Sequence, residues 1–416
     1  MRTAKHETMR SQNASVLFQC LREFGPLTRH ELQEKTGLSW GAVSSIVSDF
    51  LAMGLLTEKP MQLCHPGRTP FALDINQQSN LLIGMDLHAQ GLSCVVTDMR
   101  ARTIVSSREN IENFCRTGLL EQAARMIEEA ILASGVEASK FIGIGVAVQG
   151  TVDTANGISL HSPHLPEWND VPVCEFFQNR LHLPCVLVHD TNAMVLAEKW
   201  SGKARSARNL VFIRLDMGLG MSLVVDNSIY TGADGGAGEF GHMVVNPDGP
   251  KCTCGNYGCM EAYASGRTIL QRAREGKKMG LCDLPLTLNE ENKDLQMIAR
   301  AAREGSAFEK GLFETMGMYL GVGIANLIIM LNPEIVVIGG DLTAYSDLFL
   351  DNVRKVLFHN VWNGSRIQIE LSSLGTDAAA VGATLMLAEQ VLSDGIARQM
   401  GGLLRPIGNR EDAQEQ

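Results

Sequence analysis

The chain has no uninterrupted run of about 18 apolar residues, so no helix that crosses a bilayer is expected. Its opening, Met-Arg-Thr-Ala-Lys-His-Glu, leads into mixed polar and apolar sequence and not into a secretory apolar core. A cytoplasmic location without membrane insertion is therefore expected, and with it reduced thiols: ten cysteines without an export signal do not predict a disulfide framework. Positive charge is also scarce. The net charge is −10, which argues against a general nucleic-acid binder. The deficit is uneven, however. Residues 1–76 carry eight Lys or Arg against seven Asp or Glu, and the remainder carries 28 against 39. A near-neutral N-terminal segment on an acidic body fits a small DNA-reading module attached to a larger unit.

At 416 residues and 45% apolar content, the chain can build more than one core, and two or three domains are expected. The densest cluster of chemistry lies between Gly238 and Glu261. There Gly-Glu-Phe-Gly-His-Met is followed, after a turn, by Cys-Thr-Cys-Gly-Asn-Tyr-Gly-Cys-Met-Glu. His242, Cys252, Cys254 and Cys259 supply the four soft or borderline ligands of tetrahedral zinc, and a site filled by protein ligands is structural. A redox-active thiol pair and inert buried cysteines are the competing readings. The interleaved Gly255 and Gly258 favour the metal. Glu239 and Glu261 flank the ligands, so a zinc-pinned loop would hold both carboxylates rigid for a polar ligand.

The N-terminal segment reads as a winged helix-turn-helix. Val16, Leu17, Cys20, Leu21 and Phe24 recur at helical spacing, and Gly25-Pro26 ends that helix. Thr28 with Glu31 forms a capping-box signal for a second helix, Gly37 makes the turn, and Ser39 caps a third helix from Trp40 to about Met53. Leu55–Glu58 and Phe71–Ile75 are expected as strands of a wing with Arg68 near its tip, where it can enter a minor groove. The third helix lacks Lys and Arg altogether. Its exposed Ser39, Trp40, Ala42, Ser44, Ser45 and Ser48 can touch bases or phosphates but release no counterions. Affinity would then rest on Arg29, Lys35, Arg68, a basic arm (Arg2, Lys5, Arg10) and dimerisation. A protein-interaction module of the same shape is the alternative.

From Asn80 onward, strands and a helix recur in the same order twice, over 81–148 and 210–338. This suggests a duplicated α/β fold with a ligand cleft between its lobes. Expected boundaries are 1–79 for the DNA-binding unit, 80–200 for a first lobe completed by a C-terminal helix at 377–400, 201–376 for a second lobe carrying the zinc loop, and a tail at 401–416.

Four segments make a specific resemblance: Gly-Glu-Phe-Gly-His at 238–242, the Cys-rich run at 252–261, His-Asp-Thr-Asn-Ala at 189–193, and Leu-Asn-Pro-Glu-Ile-Val-Val-Ile-Gly-Gly at 331–340. Together they resemble the ROK family of sugar kinases and sugar-responsive repressors over essentially the whole chain. The N-terminal unit places the resemblance with the repressor branch, of the N-acetylglucosamine and xylose repressor type. The resemblance implies an actin/hexokinase-like (ribonuclease H-like) body. It implies sugar contacts from Asn169, Glu239, His242 and Glu261, with His242 also a zinc ligand, and a base at Asp190.

The departures from the family's kinases favour a regulator. Asp86-Leu87-His88-Ala89-Gln90 stands where they have Asp-x-Gly-Gly-Thr, so the backbone cradle for phosphate is lost. Asp216-Met217-Gly218-Leu219-Gly220-Met221-Ser222 replaces a glycine-rich second loop, and Asp216 would set a carboxylate against a triphosphate. His189 replaces an Asn. The leading reading is a transcriptional regulator, read as a repressor of sugar-utilisation genes, with Asp190 a vestigial base and no catalytic residue. Its effector is a sugar or a sugar phosphate, the latter met by His189, and its other partners are operator DNA and a second copy in a homodimer or homotetramer. Two other readings remain open: an active ATP-dependent sugar kinase with an appended DNA-binding domain, and a regulator held by a transporter subunit.

Overall fold

The computed structural model describes residues 2–60, 71–77, 80–162, 165–233, 235–287, 290–361 and 367–400. It opens with helices α1 (Arg2–Phe24), α2 (Arg29–Thr36) and α3 (Trp40–Ala52), then strands β1 (Leu56–Pro60) and β2 (Phe71–Ile75). Local chemistry sets these boundaries. Glu31 Oε2 accepts the Thr28 N–H at 2.7 Å while Thr28 Oγ1 accepts the Glu31 N–H, which completes the capping box. Gly37, at φ 68°, ends α2 in the left-handed region, and Ser39 Oγ accepts the Ala42 N–H to start α3. Leu17, Leu21, Leu32, Val43, Val47 and Phe50 fill the core of this unit. β1 and β2 pair antiparallel. The hairpin turn, with Arg68, lies outside the described residues. The expected basic arm is corrected: Arg2, Lys5 and Arg10 belong to α1, one helix of 23 residues.

Two sheets of five strands follow. The first contains β3 (Leu81–His88), β4 (Gly91–Thr97), β5 (Thr103–Glu109), β6 (Phe141–Val148) and β10 (Cys185–His189), in the order β10-β6-β3-β4-β5. Helix α4 (Arg116–Ala133) precedes β6. A small sheet of β7 (Thr151–Asp153), β8 (Ile158–His161) and β9 (Asn169–Val171), with α5 (Val173–Leu181), separates β6 from β10. Helix α6 (Asp190–Ser201) leaves the end of β10.

The second sheet repeats the plan. Its strands are β11 (Leu210–Leu215), β12 (Leu219–Val225), β13 (Ser228–Ile229), β14 (Ile335–Gly339) and β15 (Gln368–Leu371), in the order β13-β12-β11-β14-β15. The Cys-rich loop, α7 (Gly266–Lys278) and α8 (Glu291–Arg303) precede α9 (Ala307–Leu331), with α10 (Ser346–Asn360) between β14 and β15 and α11 (Ala378–Met400) at the end. In each sheet the first three strands are antiparallel and the last two join in parallel. Strands paired in parallel are buried on both faces, which explains the unbroken apolar runs of β3, β6 and β14. α9 is long and apolar enough to cross a membrane, but 56% of its most apolar window is buried in the second lobe's core.

The two halves meet through their last helices. α11 lies on β3, β6 and β10, whereas α6 packs on β11 and β12 as well as on β10, and the two helices cross each other. Small residues make this possible. A Cβ on Gly382 of α11 would stand 1.8 Å from the Ala193 carbonyl oxygen of α6, and one on Gly145 of β6 would stand 2.1 Å from that of Ala383. The contact between the halves is an alanine-rich cluster around Ala193, Ala197, Ala379 and Ala383.

Candidate functional site

β10 ends at His189, and the next residue, Asp190, opens α6 with its side chain buried. Asp190 Oδ1 accepts the Thr191 N–H at 2.6 Å and lies 3.4 Å from His189 Nδ1. Its other oxygen pairs with Arg214 Nη1. Arg214 stands near the end of β11, and its Nε also donates to Asp216 at 2.6 Å. One guanidinium therefore ties the start of α6 to the second sheet. Burial opposes ionisation of Asp190, but Arg214, His189 and His88 overcome it and hold its pKa below the ordinary carboxylate range. Asp86, at the end of the first sheet, has less help: burial dominates and pushes it up to about 7. Its Oδ1 is buried without a hydrogen-bond partner.

Arg214 escaped the sequence reading, although a charge inside Leu-Val-Phe-Ile-Arg-Leu was a visible signal. Buried arginines are rare unless paired. It also corrects the role expected of Asp216. That carboxylate is neutralised by Arg214, and its Oδ1 accepts the Asp341 N–H beside Gly340. Asp216 therefore fills the turn after β14 and is not a bare charge that repels from a distance.

Other backbone donors in the loops near Asp190 and the Cys-rich segment are likewise taken by side chains. The Gln90 N–H, in the tight β3–β4 turn, goes to His88 Nδ1 at 3.3 Å. The Leu219 N–H goes to Glu261 Oε2 at 3.0 Å, and Glu261 Oε1 accepts from Thr253 Oγ1 at 3.1 Å. Glu261 thus links the Cys-rich loop to the Gly218–Gly220 turn. That turn also lies against α6, since a Cβ on Gly220 would sit 3.1 Å from Thr191 Oγ1. Thr191, next to Asp190, and Glu261 accordingly border one turn.

Glu239 remains exposed, 3.9 Å from His242 Nε2. Asn169 is exposed on β9, its Oδ1 2.9 Å from His161 Nδ1, beside the buried Trp168 whose indole N–H donates to Ser159. No hydrogen bond or ion pair joins Asn169 to Asp190 among the described residues.

The Cys-rich loop brings its ligands together. One donor atom from each of His242, Cys252, Cys254 and Cys259 lies within 4.8 Å of every other. Cys252 Sγ is 3.7 Å from His242 Nδ1, and Cys254 Sγ is 3.7 Å from Cys259 Sγ. Tetrahedral ligands at about 2.3 Å from zinc stand about 3.8 Å apart, so the donor set fits that ion. Backbone bonds hold the loop in shape: Cys252 N–H to Asn256 O at 2.7 Å and Val245 N–H to Gly258 O at 2.9 Å.

The proposed DNA-facing residues share one side of α3. Ser39, Trp40, Ser45 and Ser48 are exposed, and Ala42 and Ser44 partly so. Two cations expected to face phosphate are committed within the chain: Arg29 to Glu58 at 2.5 Å, and Arg10 to Asp49. Arg10 also donates to Ser45 Oγ at 3.1 Å.

Comparison with known proteins gives consistent matches. The ROK family model matches residues 82–390. The chain is 27% identical over 392 residues to a xylose repressor of Caldicellulosiruptor bescii, covering 93% of this chain and 98% of that one. It is 34% identical over 276 residues to a glucokinase of Thermotoga maritima, covering 65% of this chain and 86% of that one. Among solved structures, a ROK family transcriptional regulator described as a homolog of the E. coli MLC protein superposes with a TM-score of 0.79 at 24% identity, over 94% of this chain and 98% of that one. That likeness extends through the N-terminal helices and establishes the shared fold.

Proposed function

The chain belongs to the ROK family, and from that premise we propose that it is a sugar-responsive transcriptional repressor without kinase activity. One observation carries the reading: Arg214, held between Asp190 and Asp216, takes the carboxylate that stands where the family's kinases have their base. A kinase needs that carboxylate free to take a proton from the sugar hydroxyl, and free backbone donors for the phosphates. Here the guanidinium takes the carboxylate, while His88, Asp216 and Glu261 take N–H groups.

The N-terminal unit is read as a winged helix-turn-helix with α3 as the recognition helix. Trp40 and the serines of α3 would meet base edges, and Arg68 would reach from the wing. The matched repressor spans this unit as well as the body, whereas the matched glucokinase covers only 65% of the chain. In the cleft, Asn169, Asp190, Glu239, His242 and Glu261, with His189 beside them, would read the hydroxyls of a sugar. His242, Cys252, Cys254 and Cys259 would hold a structural zinc, which supplies rigidity and no reaction step. The assembly is proposed as a cytoplasmic homodimer or homotetramer, which presents two α3 helices to two half-sites.

The test uses duplex DNA enriched from random sequence by the full-length protein. DNA binding is measured with D-xylose, D-glucose or N-acetyl-D-glucosamine, free and phosphorylated. At least one is expected to change DNA affinity about tenfold or more, since a ligand acts only through its differential affinity for two states. If none changes it, the effector reading fails. ATP turnover with any of them, lost in Asp190→Asn, would establish the kinase instead.

A further inference from the structure

α6 has functional contacts at both ends. At its start, Asp190 pairs with Arg214 of β11, and Asn192 Oδ1 accepts from Ser222 Oγ of β12 at 2.6 Å. At its far end, the Trp200 ring lies beneath the Arg22 guanidinium, 3.4 Å from the ring centroid. Arg22 sits in the last turn of α1, inside the N-terminal unit. Trp200 lies ten helical steps beyond Asp190, a rigid span of about 15 Å.

The N-terminal unit has a second, different seat. Leu387, Ala388 and Leu392 of α11 join its apolar core together with Leu82, Met99 and Val186 of the first lobe. Arg100, in the β4–β5 turn, donates to the carbonyls of Leu21 and Arg22 at 3.4 and 3.2 Å and pairs with Asp74 of β2. This seat belongs to the first sheet, on which α11 lies. The Trp200 seat belongs to a helix that also packs on β11 and β12 of the second sheet. One unit thus rests on two supports, one on the first lobe and one on a helix that packs on both sheets.

The Arg22 contact is poorly explained as simple glue. A guanidinium over an indole contributes about 1–2 kcal/mol when desolvated, yet Arg22 Nη2 is shielded from solvent with no hydrogen-bond partner. Glu389 of α11 and Asp98 supply its nearest negative charge. An apolar pair would fill the same space without an unsatisfied donor.

We propose that Arg22 and Trp200 form the coupling contact through which the ligand state of the cleft reaches the DNA-facing helices. A sugar that engages Asp190 and draws the second lobe onto it moves α6 relative to α11. The Trp200 seat then shifts against the α11 seat, and α1 with α3 must tilt. This rests on the sugar-effector reading given above.

The test compares the full-length protein with Trp200→Leu, with Trp200→Phe, and with the double variant Arg22→Met/Glu389→Gln, which removes both charges together. Each is titrated with D-xylose, D-glucose and N-acetyl-D-glucosamine by calorimetry, and its affinity for the selected duplex is measured with and without sugar. The coupled change in DNA affinity is expected to fall to less than about twofold in Trp200→Leu and in the double variant. Sugar affinity should stay within about threefold, and Trp200→Phe should keep at least half of the coupling because it retains a ring face. Variants that melt cooperatively, bind sugar normally and keep the full coupling would overturn the proposal while leaving the effector reading intact. If Trp200→Leu does not fold, the double variant decides the question by the same comparison. A parent protein whose DNA affinity no sugar changes would instead overturn the effector reading itself.

Discussion

At the scale of single residues, the ends of the two sheets are governed by one cation among several carboxylates. Arg214 holds Asp190 ionised, and burial leaves Asp86 at about 7. An unfolded aspartate titrates near 3.9. Between these values native Asp86 keeps a proton that the unfolded chain has lost. Stability from this group is therefore present below about pH 4 and is lost as pH rises through about 7. Asp86→Asn removes that dependence. Relative to the parent, the variant should gain on the order of 2 kcal/mol more at pH 8 than at pH 5, read from denaturant midpoints; an equal change at both values would show that Asp86 is not the titrating group. Residue types that act alone were legible in the sequence, such as the clustered His and Cys donors of the Cys-rich loop and the caps of α2 and α3. Arg214 and Trp200 were not, because their meaning depends on partners 24 and 178 positions away in the chain.

At the scale of elements, the strands, the capped helices and the Cys-rich loop follow from short-range pattern. Buried strands read as apolar runs, and Gly37, Gly255 and Gly258 mark turns whose φ is positive. The length of α1 did not follow, since its polar first half carries no apolar periodicity and reads equally well as an arm. The Cys-rich loop is the element with the most to lose. It contains little regular structure, and its shape rests on a few backbone bonds and on the proposed metal. Stripping zinc with a chelator should release Glu261 from the Leu219 N–H and weaken sugar binding about tenfold or more, as loss of supporting contacts at a metal site commonly does. Cys259→Ser should do the same, with bound zinc measured by plasma emission falling together with affinity. Metal-free protein that binds sugar at full strength would separate the loop from the cleft. The melting of the N-terminal helices should not change, because their core contains no residue of the loop.

At the scale of the whole molecule, the duplication was legible as a repeated order of strands and helices, and the C-terminal helix was expected to complete the first lobe, but the reach of α6 onto the second sheet was not. Periodicity assigns α6 to the half that encodes it, whereas in space α6 reaches the second sheet and α11 returns to the first. The crossing of these helices is where any relative motion of the lobes must pass. Gly382 allows it: an added Cβ would meet the Ala193 backbone oxygen at 1.8 Å, and no flexible side chain is there to yield. Gly382→Ala must therefore push α11 off α6 or strain both. Overpacking of this kind costs about 1–3 kcal/mol, and the urea midpoint should fall accordingly with an unchanged slope, because the same surface is exposed on unfolding. Separation of the helices also displaces Asp190 at one end of α6 and Trp200 at the other. Sugar affinity and the response of DNA binding to sugar should then decline together in this variant, whereas Trp200→Leu should lower the response alone. A Gly382→Ala protein that loses stability but keeps both properties would locate the motion elsewhere than at the crossing.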